Sequence, residues 1–201
     1  MADIYIGDQT YNYEDLNTDV LKSTKNYRKY KEGLFIIEAN GSYEFIVKYL
    51  SIHKTLNSIF IIEDYNLIDD EVLNQLKLIF INIYLPNNDL LENKNKINNR
   101  ISNSELILSS GTSAKKKIIV LNKNTVWKSA ERINNQFKVD RNTCEYILMD
   151  FHHSFGITRL RCALKRKSNI FIAKNLLDPK MLKVVFDNES SIFFWFCFKR
   201  A

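Results

Sequence analysis

Glu105-Leu-Ile-Leu108, then Ser109-Ser-Gly-Thr-Ser-Ala-Lys-Lys-Lys117, then Ile118-Ile-Val120: two short apolar runs bracket a polar loop of hydroxyls, one glycine and three lysines. Apolar runs this short, rich in Ile and Val and bounded by turn residues, predict buried strands. The expected unit is therefore strand, loop, strand. A loop of this composition suits a polyphosphate. Gly111 lets the backbone approach closely, the hydroxyls and amides donate hydrogen bonds, and the lysines neutralise charge. An exposed, solvated basic turn has the same composition, and composition alone does not choose between the two.

The order of the residues adds a resemblance. Ser109 to Lys117 resembles the phosphate-loop signature of the adenylate-forming superfamily, which includes acyl-CoA synthetases, aryl-acid ligases and peptide-synthetase adenylation domains. That signature reads [Thr/Ser]-Ser-Gly-[Thr/Ser]-[Thr/Ser]-Gly-x-Pro-Lys-Gly. Ser109, Ser110, Gly111, Thr112, Ser113 and Lys117 match it, and the resemblance implies that they bind the phosphates of ATP. Ala114, Lys116 and Ile118 stand where the family has Gly, Pro and Gly, which narrows the backbone freedom of the loop and loosens its shape. A weakened ATP site is the expectation. The other common phosphate loop, Gly-x4-Gly-Lys-[Ser/Thr] opening a helix, is absent here.

The 201 residues suffice for one sizeable core or two small ones, and a hydrophobic content of 45% with 26% charged residues is ordinary for a globular protein. No apolar run approaches the roughly 20 residues that span a bilayer. Met1-Ala-Asp-Ile-Tyr5 has no basic segment followed by an apolar one, and Cys144, Cys162 and Cys197 are scattered and odd in number. Both features lead to the expectation of a cytoplasmic protein with reduced thiols. No Cys/His cluster has zinc-ligand spacing, so a structural metal is not expected. The net charge of +6 raises nucleic-acid binding as one reading. However, the densest basic patch outside the loop, Arg159-Leu-Arg161 through Lys165-Arg-Lys167, reads as the solvated face and last turn of a helix.

Along the chain, Gly7-Asp8 separates two short strands at 3–6 and 9–13, and a helix is predicted from Tyr13 to about Tyr30. Strands follow near 33–38, 58–62, 79–84, 105–109, 117–121, 145–149 and 168–172. Helices are expected from Ser42 to His53, Asp69 to Leu78, Thr125 to Phe137, and from Gly156 to about Leu164. A further helix opens at Asp178-Pro179, and a last strand-like run covers 190–198. His53, at a helix end, reads as partly buried or solvated. Residues 87–104, rich in Asn and Lys, read as a surface linker. Strands alternating with helices over short links imply a layered α/β fold.

Asp150-Phe-His-His153-Ser-Phe-Gly156 is the second informative stretch. Adjacent histidines in an extended chain point to opposite faces, so both do not readily serve one site. Phe-His-His153-Ser-Phe-Gly156 is similar to the His-x-x-Gly segment that follows the phosphate loop in acyl-CoA and acyl-carrier synthetases. The resemblance implies that His153 and Gly156 belong to the carboxylic-acid pocket, and it favours a fatty, aryl or other acyl acid.

The resemblance runs from Tyr11 to about Trp195, and it implies the N-terminal part of the large domain of adenylate-forming enzymes, incomplete. Residues 1–201 are thus expected to be a single partial AMP-binding domain. The family also uses a Thr-Glu segment for nucleotide and Mg²⁺, a Gly-Asp pair for the ribose, and a catalytic Lys on a small C-terminal domain. None follows Trp195. The expectation is a truncated, ATP-dependent ligase-like protein that is inactive alone, with no catalytic residue assigned and with Mg²⁺ only when complemented. Two alternatives stand beside it: one half of a split acid–AMP ligase whose partner is a second chain, and a non-catalytic binding module that reuses the fold.

Overall fold

The computed structural model describes residues 2–93, 101–109, 117–173 and 192–194. The chain forms two compact units, residues 18–123 and residues 1–17 with 124–201. Each is built on its own sheet.

In the unit of residues 18–123 the strands β3 (Leu34–Glu38), β4 (Ser58–Ile62), β5 (Asn82–Tyr84), β6 (Leu90–Glu92), β7 (Ser104–Leu108) and β8 (Ile118–Asn122) lie in the order β6-β5-β3-β4-β7-β8. The inner four are parallel, and β6 and β8 close the edges as antiparallel partners of β5 and β7. β3 and β4 read as unbroken apolar runs because they are buried on both faces. Between them, Gly41 takes a left-handed turn (φ 71°) and the Ser42 hydroxyl accepts the Phe45 N–H at 3.1 Å, which starts α2 (Tyr43–His53). Asp69 caps α3 (Asp70–Lys77) in the same way through the Val72 N–H, at 2.8 Å.

The chain crosses from β3 to β4 through α2 and back past β3 to β5 through α3, which puts the two helices on opposite faces. Leu34, Ile36, Phe60, Ile62 and Leu106 pack with Val72 and Leu76 of α3. The other face turns Glu105 toward Tyr49 and His53 of α2, and Phe35 meets the ring of Tyr27 edge-on. Tyr27 belongs to α1 (Tyr13–Arg28), whose Val20 carbonyl accepts the Ser51 hydroxyl of α2 at 3.2 Å. Helix, sheet and helix make the expected layers.

The structure departs from the sequence reading between α3 and β7. The strand expected at 79–84 is only Asn82–Tyr84, because Ile79 and Phe80 continue the last turn of α3 and Phe80 N–H bonds to Leu76 O at 2.9 Å. Within the stretch read as a surface linker, Leu90–Glu92 forms β6, and Asn93 is buried, its side chain donating to the carbonyls of Lys77 and Phe80.

The other unit holds β1 (Asp3–Ile6), β2 (Gln9–Asn12), β9 (Cys144–Ile147), β10 (Ile170–Ile172) and β11 (Ile192–Phe194), ordered β11-β9-β10-β1-β2. Tyr5 and Phe171 stack at 4.6 Å between ring centroids on one face. The other face carries α5 (Ser154–Arg166), with α4 (Lys123–Gln136) bonded to it through Asn134 Nδ2 and Cys162 O at 2.9 Å. The helix expected from Asp178 lies outside the described residues.

The largest correction concerns the basic patch. Arg159 and Arg161 are buried rather than solvated, at 4% and 3% exposure. Glu145, fully buried on β9, draws Arg159 into a two-pronged pair (2.5 and 2.8 Å) and Arg166 into a third contact at 2.5 Å. Arg161 Nε donates to the Ile157 carbonyl at 3.2 Å. A helix that covers a buried carboxylate turns Arg159 and Arg166 inward, which leaves Lys165 and Lys167 as the exposed cations of the patch. Phe137, expected as the last residue of this helix, lies just past its end and is 47% exposed.

Removing one partner of a buried, hydrogen-bonded ion pair typically costs about 3–5 kcal/mol. Arg159→Leu is therefore expected to lower stability by about 3 kcal/mol. Lys165→Ala, which loses an exposed pair with Glu131 (3.5 Å), should change it by less than about 0.5 kcal/mol. Urea denaturation of the two variants measures the contrast.

Candidate functional site

β7 and β8 pair in the register Glu105↔Leu121, Leu106↔Val120, Ile107↔Ile119 and Leu108↔Ile118. Just beyond, Ser109 N–H donates to Lys117 O at 2.8 Å and Lys117 N–H donates to the Ser109 hydroxyl at 3.2 Å. These bonds join the first and last residues of the motif, bringing Ser109 and Lys117 together as the neck of a hairpin loop. Ser110, Gly111, Thr112 and Ser113 lie outside the described residues. β7 runs parallel to β4 and β3, so the neck stands at the carboxyl edge of the parallel strands. Open α/β sheets hold their ligands along that edge.

The opposite end of the hairpin is its root, and sequence reasoning missed it. Glu105 is fully buried, and its Oε2 accepts the Tyr49 hydroxyl at 2.8 Å and pairs with His53 Nε2 at 3.0 Å. His53 is thus partly buried, as one branch of the sequence reading had it, with its side chain bonded to Glu105. Beside them Lys123, the first residue of α4, is 2% exposed and donates from Nζ to the carbonyls of Ile52 (2.8 Å) and Thr55 (3.1 Å) at the C-terminal end of α2. Burial lowers the pKa of this ammonium to about 7, and the nearby Glu105 charge opposes part of that shift. The available signal was a Glu in an otherwise apolar strand, with a His at the end of a helix that packs on the same sheet.

His153 and Gly156 belong to the unit of residues 124–201. Phe151–His153 form a turn rather than a strand, so the two imidazoles do not point to opposite faces; their rings pack together at 3.9 Å. His153 is the extended N-cap of α5. Its carbonyl accepts the Ile157 N–H at 3.2 Å, and its side chain makes no capping bond. Gly156 sits in the first turn, where a Cβ would meet Asp150 O at 2.4 Å and Met149 O at 2.8 Å. Both contacts are backbone. The geometry therefore gives Gly156 a packing role: it lets α5 start against the end of the preceding strand. Among the described residues no three His, Cys, Asp or Glu side chains cluster to hold a metal ion. No described helix is long and apolar enough to cross a membrane.

Two outcomes follow from this geometry. Gly156→Ala should destabilise the protein by about 2–3 kcal/mol, since the methyl can be admitted only by moving backbone; denaturant titration tests it. For Lys123 the unfolded chain keeps its proton up to about the ordinary value of 10.5, whereas the folded chain releases it near 7. The unfolded state therefore binds more protons between those values, and stability rises with pH through that window at up to about 1.4 kcal/mol per pH unit. In Lys123→Met this rise should disappear, which denaturation midpoints between pH 6 and 9.5 would record.

No protein-family model and no curated protein matches this chain. Solved structures do. The O-succinylbenzoate coenzyme A synthetase from Bacillus subtilis in complex with AMP is 13% identical, with a TM-score of 0.69 over 93% of this chain and 56% of that one. Apo MatB from Rhodopseudomonas palustris is 9% identical, with a TM-score of 0.67 over 94% of this chain and 45% of that one. The N-terminal domain of FACL13 from Mycobacterium tuberculosis is 12% identical, with a TM-score of 0.68 over 92% and 56%. This chain spans about half the length of these relatives. Its fold is that of the N-terminal part of the adenylate-forming acyl-CoA synthetases.

Proposed function

We propose that this chain carries the ATP phosphate-binding portion of an acid–AMP ligase, and that its 201 residues alone hold a triphosphate without forming an acyl-adenylate. The observation that carries this reading is the hairpin neck, where Ser109 and Lys117 close the motif at the carboxyl edge of the parallel strands. In this reading Ser109, Ser110, Thr112 and Ser113 donate to phosphate oxygens, Gly111 allows close backbone approach, and Lys117 supplies charge. His153 lines the acid pocket, held at the head of α5 by the tight packing of Gly156. The shared fold supports this assignment of roles. So does the bound AMP of the O-succinylbenzoate relative, although fold likeness alone does not assign an activity.

Both units together would make up one partial adenylation domain with an acyl, aryl or fatty acid as cosubstrate, in a cytosolic setting that suits the buried free thiols of Cys144 and Cys162. When bound, ATP supplies the α-phosphorus that a carboxylate attacks as pyrophosphate leaves. That chemistry depends on electrostatic groups set in advance around the reacting atoms, and losing one such donor costs roughly 3–4 kcal/mol of barrier. The Thr-Glu and Gly-Asp segments and the catalytic Lys have no counterpart within these 201 residues, so further sequence or a second chain would have to supply them.

Calorimetry with ATP is expected to show weak binding that Gly111→Val abolishes and Lys117→Ala weakens roughly tenfold, equivalent to about 1.4 kcal/mol. Unchanged affinity in Gly111→Val would overturn the phosphate-loop reading. Carboxylate-dependent exchange of pyrophosphate into ATP should stay at the no-enzyme rate across fatty, aryl and amino acids with Mg²⁺. Exchange that Lys117→Ala removes would contradict the second half of the proposal.

A further inference from the structure

We infer that Lys123, Glu105, His53 and Tyr49 act as positioning residues for the Ser109–Lys117 neck of the β7–β8 hairpin, anchoring both its strands to the C-terminal end of one helix, α2. This inference rests on the phosphate-loop reading for its consequence, but the anchor itself stands on contacts at the other end of the hairpin.

The hairpin is an edge element. Among the described residues β8 has no strand partner beyond β7, and Ile119 and Val120 are 40% and 38% exposed although they alternate between its two faces. Such a strand has little burial to hold it. Its fixed points are at the root, where Ser104 pairs with Asn122 and Glu105 with Leu121. On the β7 side the Glu105 carboxylate is bonded by Tyr49 and His53, one turn apart on α2. On the β8 side the next residue, Lys123, reaches the carbonyls of Ile52 and Thr55 where α2 ends. Carbonyls at a helix C-terminus lack intrahelical donors and carry the negative end of the helix dipole, so an amine is a natural partner for them. Both strands are thus tied to the same turn of helix by buried polar contacts. A buried polar network of this kind is costly when partly broken, and so specifies one arrangement.

Two bonds from Nζ are what a neutral amine can donate, and an ammonium has a third N–H to satisfy. Glu105 on β7 is the charged group that faces Lys123, with His53 and Tyr49 of α2 bonded to it. Since burial brings the proton affinity of Lys123 down to about 7, the tightness of the root should change with pH near neutrality, where a fixed structural contact would not.

The test compares the full chain with Lys123→Met by backbone hydrogen exchange at one pH, and by calorimetry with inorganic tripolyphosphate from pH 6 to 8.5. Exchange at least tenfold faster across 104–108 and 118–122 in the variant, with β5 and α3 unchanged, is the expected result. Equal exchange, or acceleration spread evenly over the chain, would overturn the anchor. Tripolyphosphate affinity is expected to fall at least fivefold in Lys123→Met and to lose the pH dependence that the unaltered chain shows; affinity and pH profile equal to the unaltered chain would overturn the positioning role. If the unaltered chain binds no tripolyphosphate at any pH, the phosphate-loop reading and the positioning role fall together, and the exchange result still decides the anchor. Should Lys123→Met fail to fold, Glu105→Gln, which keeps an acceptor for Tyr49 while removing the charge, carries the exchange and affinity comparisons with the same outcomes, while the pH profile, which belongs to Lys123, is expected to shift to lower pH rather than vanish.

Discussion

A carboxylate buried in a sheet must be given hydrogen bonds and cations, or the segment carrying it will not stay inside. Each unit of this protein buries one on a strand, and the helices around it are placed accordingly. Glu145 on β9 is met by Arg159 and Arg166 of α5, and Arg166 also reaches Thr143 O and Asn134 Oδ1, linking α5 to α4 and to the entry of the strand. Glu105 on β7 is met by Tyr49 and His53 of α2. Apolar contacts supply the bulk of the core, as the cluster around Phe60 and Leu76 illustrates, but such contacts tolerate sliding. Bonds to a buried carboxylate do not, so they set the register of helix on sheet.

This constraint explains which features could be read from the sequence. Elements fixed by local pattern were legible: the Gly7 turn between β1 and β2, the helix starts at Ser42 and near Asp69, and the apolar runs of β3, β4 and β7. The strands on either side of 109–117 were legible because two short apolar runs bracket a polar stretch. Features fixed by distant partners were not. Arg159 and Arg166, seven residues apart on one helical face, read as solvated, and the buried Glu145 turns them inward. His53 looked like a helix-end histidine until Glu105 supplied its partner. β6 was hidden in a stretch of Asn and Lys because an edge strand needs only one paired side and three residues. The division of the strands between two sheets was likewise not legible, since periodicity reports which residues are buried, not which strand lies alongside.

At the candidate site the same distinction applies. The residues that would touch phosphate lie in sequence order and could be recognised; the groups that hold their hairpin lie on α2 and at the head of α4, and could not. Gly156 was assigned to the acid pocket through a resemblance, and its surroundings supply a more direct physical reason for a glycine there: the carbonyls of Met149 and Asp150 leave no room for a side chain. A glycine can answer to packing and still place His153, because the start of α5 fixes the His153 backbone. The nucleotide role proposed for the hairpin rests on the order of the residues from Ser109 to Lys117, and the shared fold is consistent with it.

The most direct measurement is an amide-resolved NMR titration of the chain with ATP, inorganic tripolyphosphate and AMP in parallel. ATP and tripolyphosphate should shift the resonances of Ser109, Lys117 and the residues between them, with AMP at the same concentration much less effective. Shifts that leave Ser109 and Lys117 unmoved, or that AMP reproduces in full, would contradict the assignment of this hairpin as a phosphate-binding loop.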